Sequence, residues 1–592
     1  MNSRTTWLLL GLAALLGGFI LVWERHVAGP ARAPRLLLPG FEPRAVTAIQ
    51  VRAAGQPELL ATRTNGGWHL AKPIPYPAQP QRIELFLESL RAAQPVAAFT
   101  PRELAAQPDW ERDFGFEEPL ATLDLFHAGG RLQVLFGART PPGDHVYVEV
   151  IGRPGVLLMP AALLEAVPAK PGAWRDPALL DWAHLTFDRI LAVNGPRTTE
   201  LQRDGTNGTW RLPRLQARAD SPLIEELLQR LRHTPIQEFI ADGPDLDLEP
   251  FGLRTPELTL NFLSGTNSLA RLHLGRSPTN DAALAFARRS GLASVFTVPL
   301  EPFAPWRAPA ADFRDRQLVR FAAVPRELEV IADDTFRVRP DSNGVWRVEP
   351  AGWVADTNYL ADVFATLGRM QIVSFEKDVV TEPDLPRFGL APPFRQFLLH
   401  GAQRDPAAPL HLCFGTNTAD RMLVKRADED SVYAVLTAEF NKLPAASWEM
   451  RDRRVWSFPV DELVRISVEK GGQRRDLLRH GSNSWSLAEG SFGAINVFGV
   501  EETAARLADL RAAWWVLPRP EPAKLADFGF GEPAYRIELL TRDGRRREVR
   551  FGGTAPNQFP FALVPVGGET WLCEFPWDTF QFIETYLAPP VP

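Results

Sequence analysis

The stretch TNGTWRLPRLQARADSPLIEELLQRL, residues 206–231, holds the reading that decides the fold. Asn207-Gly208 tolerates the positive φ of a tight hairpin turn, and Trp210 follows at once with a large apolar surface. Ser221-Pro222 then reads as N-cap and first residue of a helix. Ile224, Leu227, Leu228 and Leu231 stand at i, i+3, i+4 and i+7, one apolar face meant for a sheet. A strand, a turn, a Trp and a helix make a mixed α+β unit.

The pattern recurs along the chain. Asn65-Gly66-Gly67-Trp68, Asn343-Gly344-Val345-Trp346 and Ser482-Asn483-Ser484-Trp485 repeat the turn. A Phe-Gly pair follows each Trp, at Phe114-Gly115, Phe251-Gly252, Phe388-Gly389 and Phe528-Gly529. Ile83, Phe86, Leu87 and Leu90 repeat the helix stripe, as do Leu360, Val363, Phe364 and Leu367; the last copy keeps only Val500, Ala504 and Leu507. Each unit opens on an alternating strand, such as Val46 to Val51 or Leu463 to Val468. Past the Phe-Gly pair come two hairpins and another repeated glycine, Gly137, Gly275, Gly415 and Gly552. Arg175-Asp176, Arg314-Asp315 and Arg451-Asp452 close the first three units. The last unit has no such pair, which assigns it to the junction with a following unit. The expected fold is α+β: four tandem units of about 138 residues, each a largely antiparallel sheet with one main helix, large enough to hold its own core.

The expected division is a tail at 1–6, a transmembrane anchor at 7–23, a linker at 24–40, and units at 41–183, 184–320, 321–456 and 457–592. Trp7 to Trp23 is an uncharged apolar run, about 26 Å long as a helix, with Trp at both ends. The rival reading is a cleaved signal peptide, but its small-x-small site Ala31-Arg32-Ala33 is followed by Pro34. Arg4 precedes the run; Arg25, Arg32 and Arg35 follow it, so charge bias does not favour export of the C-terminal side. A short head before one span is nevertheless the usual signal-anchor layout, and long domains translocate largely regardless of charge. The expectation is a single-pass inner-membrane protein with its bulk in the periplasm.

Net charge −6 and 23% charged residues offer no broad basic surface for nucleic acid. The two cysteines, Cys413 and Cys573, sit at non-equivalent positions and read as isolated buried thiols. There is no Gly-Lys pair for a P-loop, no His-Glu-x-x-His and no Gly-x-Ser-x-Gly elbow. His69, His273 and His411 are scattered singly and read as strand or surface histidines. Asp245, Asp247 and Glu249 alternate as calcium ligands would, but the equivalent segments keep acidity without fixed spacing, which favours a polar turn before the Phe-Gly pair. Trp174, Trp182, Trp306, Trp448 and Trp456 cluster at unit junctions, where packing explains them better than sugar stacking. No catalytic residue, cofactor site or metal site is assigned.

Taken in order, the Asn-Gly-x-Trp turn, the helix, Phe251-Gly252-Leu253-Arg254-Thr255-Pro256, Phe388-Gly389-Leu390-Ala391-Pro392-Pro393 and the closing Arg-Asp resemble the bacterial family catalogued as domain of unknown function 4340. Phe116 and Phe530 depart from its Leu, and Ser484 from its Gly before Trp. The resemblance implies a non-enzymatic membrane-anchored accessory or scaffold protein, with permease or ATPase components of ABC-type or gliding-motility transporters as partners. A ligand- or glycan-binding envelope module is the alternative expectation.

Overall fold

The computed structural model describes Leu16 and residues 36–589, apart from 65–66, 169, 206–207, 280, 402–408 and 532–533. The expected membrane span at 7–23 lies outside the described residues, Leu16 excepted, as do the turn residues Asn65, Gly66 and Asn207. No helix among the described residues is long and apolar enough to cross a membrane.

The first sheet has nine strands: β1 (Val46–Ala53), β2 (Leu59–Thr64), β3 (Gly67–Lys72), β4 (Tyr76–Pro77), β5 (Ala97–Phe99), β6 (Ala121–His127), β7 (Gly130–Arg139), β8 (His145–Val150) and β9 (Val156–Pro160). Their order is β4-β3-β2-β1-β6-β7-β8-β9-β5. Two further nine-stranded sheets repeat that order, and an eight-stranded sheet repeats it without the short edge strand. Pairings in the first sheet are antiparallel, as hairpin connections require. In the first three sheets the chain forms the main helix between the two edge strands, and in the fourth directly after the third strand: α1 (Pro80–Ala92), α2 (Ser221–His233), α3 (Thr357–Arg369) and α4 (Val497–Ala508).

Each helix buries the stripe read from its spacing. Ile83, Phe86, Leu87 and Leu90 are buried in α1, and Ile224, Leu227, Leu228 and Leu231 in α2. In α3 Phe364 is only half-buried, and Tyr359 and Thr366 complete the face. The cap of α2 is Asp220, whose carboxylate accepts the Leu223 N–H, and not Ser221. Ser221 Oγ instead accepts the Trp210 N–H at 2.8 Å, tying the helix start to the strand that carries the Trp. In the last copy Asn483 itself takes φ +52°, which is how that turn closes without glycine before Trp485.

The face of the first sheet opposite α1 is covered by the segment that ends in Phe-Gly. Leu104, Phe114, Phe116 and Val156 form a small second core there, while Leu157 and Met159 on the same strand join the main core. The two repeated glycine markers meet at this point. A Cβ at Gly137, Gly275 or Gly415 would collide with the carbonyl oxygen of Phe114, Phe251 or Phe388, and one at Gly552 would crowd Phe528 in the same way. The Gly of each Phe-Gly pair has φ between +65° and +76°, turning the chain back over the strand. Gly275→Ala is therefore expected to destabilise by about 1–3 kcal/mol. Gly205→Ala, with open space around it, serves as control, and thermal melts of the two variants give the comparison.

The chain divides into two compact units, one ending at Arg314 and the other starting at Asp315, with residues 215–217 grouped with the latter. Each unit contains two of the large sheets. The expected boundaries fall too late. Leu318 and Val319, placed at the end of the 184–320 unit, lie in the third core, and Val455 lies in the fourth. Leu37 and Leu38, placed in a linker, are buried in the first core. Apolar residues just after Arg-Asp are the first core contribution of the next sheet, so the boundary is the Arg-Asp pair itself.

Candidate functional site

Two recurring polar constellations need to be separated from anything that acts on a ligand. The first joins three of the four repeat Trp residues to a Glu on the helix and an Arg on the preceding strand. Trp68 Nε1 donates to Glu84 Oε1 at 2.8 Å, Trp210 Nε1 to Glu225 Oε1 at 2.8 Å, and Trp485 Nε1 to Glu501 Oε2 at 2.6 Å. Arg63, Arg203 and Arg479 pair with the same carboxylates and lie over the same indoles at 4.7, 4.9 and 5.9 Å. The third copy has neither partner: Ala361 stands at the helix position and Pro340 is the strand residue paired opposite Trp346. Sequence periodicity was blind to this set because it tracks apolar residues, and the Glu faces the edge of the apolar stripe.

The second constellation is the Arg-Asp junction. In the first unit the Arg175 side chain is 1% exposed and donates two hydrogen bonds to Asp242, at 2.9 and 2.7 Å. Its guanidinium also lies 4.7 Å from the Phe239 ring and 5.3 Å from that of Tyr76. Tyr76 belongs to the first sheet, Phe239 and Asp242 to the second. Burial pushes the Tyr76 hydroxyl up to about 12, so it stays neutral there. In the second unit Arg451 lies among Trp353, Trp515 and Trp571, 4.3 Å from the last, and Arg453 pairs with Asp356 at 2.8 Å over Trp514. Arg175, Arg451 and Arg453 each join residues of two successive repeats.

The candidates named from sequence are dispersed. Asp245, Asp247 and Glu249 are exposed in a turn rather than alternating on a strand, and Asp247 accepts the Glu249 N–H at 3.0 Å. In the equivalent third segment Asp384 closes a capping box with Thr381 and pairs with Lys377 at 2.8 Å, which holds its carboxyl far below the usual range. His69 is exposed. Cys573 is fully buried, and burial pushes its thiol well above the usual range; Cys413 is raised by the same cause. Neither is disulfide-bonded. Cys413 is not isolated, because its Sγ lies 3.3 Å from His411 Nε2, which also meets Gln396 Oε1 at 2.8 Å.

His273 sits between Thr259 and Ser290 hydroxyls, each at 3.1 Å. Burial first, then Arg271 and Arg288, lowers its pKa; burial likewise lowers that of His411. The folded state thus favours the neutral imidazoles. Their contribution to stability is complete above the unfolded value of about 6.5 and is lost as pH falls through the folded values. The stability difference between the native chain and a His273→Gln, His411→Gln variant is expected to shrink from pH 7 to pH 5 in urea melts.

Three exposed aromatics lie in the last quarter of the chain, and a fourth, Phe394, is 61% exposed before it. Phe498, on α4, is 78% exposed, Phe492 just before it 52%, and Trp577 41%. Trp577 starts α5 (Trp577–Phe582), which packs on α4 and is tied to it by Arg506, 2.8 Å from Asp578 and stacked on Phe582 at 4.3 Å. A groove of about 490 Å³ along α5 is lined by Trp577, Phe580, Phe582 and Tyr586 with Gln581, Glu584 and Thr585. The junction tryptophans are packed instead: Trp174 against Phe86 at 5.4 Å, Trp182 against Phe262 at 5.6 Å, Trp306 against Phe313 at 6.0 Å.

No curated protein and no solved structure matches the chain. A sequence model of one family does, three times, at residues 68–245, 210–351 and 346–495, which together run without a break from Trp68 to Ile495. With most of its length so matched, the chain belongs to the family described as domain of unknown function (DUF4340).

Proposed function

We propose that the protein is a single-pass envelope scaffold. In this reading residues 7–23 anchor it in the bacterial inner membrane. Four homologous α+β units stand on the periplasmic side and bind a protein partner without catalysing a reaction. The observation that supports partner binding most is the exposure of Phe498 and Trp577 on α4 and α5 and of Phe492 just before α4. Leaving a Phe side chain in water forgoes about 1.5–3 kcal/mol, and contiguous exposed apolar surface marks interaction sites. The recurring Arg, Trp and Glu residues are accounted for by packing, which leaves these exposed aromatics unexplained by the repeat. The family resemblance directs attention to permease or ATPase components of an ABC-type transporter.

A photo-crosslinking residue at position 498 or 577 is expected to capture a transporter subunit in native membranes, and one at Leu85, an isolated exposed residue, is not. Equal capture from all three positions would contradict the reading. A second reading, glycan binding, is favoured by the groove beside α5, where Trp577 and Tyr586 stand with Gln581, Thr585 and Glu584. Quenching of tryptophan fluorescence by cell-wall fragments, lost in Trp577→Ala, would move the assignment there.

A further inference from the structure

A repeated chain carries its own controls: a side chain present in every copy belongs to the scaffold, and a chemical cluster in one copy needs another explanation. The third sheet holds such a cluster on the face away from α3. Glu327 and Glu329 lie two apart on one strand, flanking the core residues Leu328 and Val330, so their side chains share the outer face. His400 is paired directly opposite Glu327 on the neighbouring strand. One ligand atom from each of Glu327, Glu329 and His400 lies within 4.8 Å of the others. The pairing registers align these positions with Ala48, Gln50 and Phe126 in the first sheet. They align with Arg189, Leu191 and Leu263 in the second, and with Arg465, Ser467 and Leu540 in the fourth. None of those sets has a ligand trio.

A second observation concerns the imidazole alone. His400 Nε2 is shut off from solvent and has no hydrogen-bond partner, although the ring is 35% exposed overall. It lies 3.9 Å from Glu329 Oε2, too far for a hydrogen bond and on the side of the two carboxylates. An unpartnered ring nitrogen costs free energy unless something fills its lone-pair direction. Glu329 is steadied from the other side by Arg337 at 3.1 Å, an outer partner of the kind that orients a metal-binding carboxylate.

We propose that Glu327, Glu329 and His400 form a site for a divalent transition-metal ion. Metal–ligand distances of about 2.0–2.2 Å put ligand atoms about 3–4 Å apart, so a small rotation of the Glu side chains closes the set on an ion. The imidazole selects first-row transition ions such as Zn²⁺ or Co²⁺ over Mg²⁺ and Ca²⁺, which prefer all-oxygen ligands. Three protein ligands leave at least one position open to water or to a group from a bound partner.

The test is calorimetric titration of the metal-free full-length chain with zinc chloride and cobalt chloride, with Co²⁺ visible absorption as an independent readout. One saturable site is expected, weakened at least tenfold by Glu327→Gln and by His400→Gln in chains whose thermal melts match the native protein. Absorption bands of Co²⁺ bound to nitrogen and oxygen are expected to vanish with the same substitutions. Magnesium chloride is expected to give no saturable heat. Absence of a saturable site overturns the proposal and leaves His400–Glu329 as a loose ion pair. Undiminished binding in a Glu327→Gln, His400→Gln double variant, or equal binding of Mg²⁺ and Zn²⁺, overturns it as well.

Discussion

Trp210→Ala is expected to lower stability by about 3–5 kcal/mol, and Trp346→Ala by less than half as much. Trp210 is 1% exposed, closes the end of its core, donates to Glu225 and lies under the Arg203 guanidinium. Its loss removes a large buried surface, a charge-assisted hydrogen bond and a cation–π contact together. Trp346 is only half-buried, and its helix offers Ala361 where the other copies offer Glu. The strand residue paired opposite it is Pro340, so no guanidinium stands where Arg203 meets Trp210. Thermal melts of the full-length chain carrying Trp68→Ala, Trp210→Ala, Trp346→Ala and Trp485→Ala singly give the ranking. If the third substitution costs as much as the second, the Arg–Trp–Glu set is incidental to stability.

Arg175→Ala is expected to cost about 3–5 kcal/mol, the usual loss when one partner of a buried pair is deleted. Asp242 is 28% exposed on its side chain, so water offsets part of that penalty, and the lower half of the range is expected. The more specific consequence is loss of cooperativity. Arg175 is the shared partner of Tyr76 from the first sheet and of Phe239 and Asp242 from the second. Without it each sheet keeps its own core but loses the polar joint between them. Calorimetry is expected to resolve two transitions in the first unit where the native protein has one. Arg175→Lys retains charge without the planar fork and should fall between. A single transition shifted by less than about 2 °C would show that apolar contacts alone join the sheets.

Much of this fold was legible from local pattern. Strand alternation and the helix stripe are short-range signals, and they stand where they were expected, as do the described turns before Trp346 and Trp485. The Phe-Gly pair and the later glycine were both visible as repeats, but not as one contact: the Phe251 carbonyl rests on Gly275, more than twenty residues away. The short strand after each helix, such as Ala97–Phe99, carries almost no alternation and pairs at the far edge with Val156–Leu158. The unit boundaries slipped because Leu318 and Val319 look like the end of one unit until the core they enter is known. The Glu327–Glu329–His400 cluster was out of reach for the same reason. Its ligands come from two strands whose register no local pattern states.

Under the proposed function this chain is a membrane-anchored scaffold for a partner protein. Crosslinking and recovery from native membranes, with the full-length chain beside one lacking residues 1–23, test it most directly. Transporter permease or ATPase subunits are expected to be recovered with the full-length chain and lost with the truncation. Recovery of no protein partner, with both chains retained on cell-wall material, would contradict it.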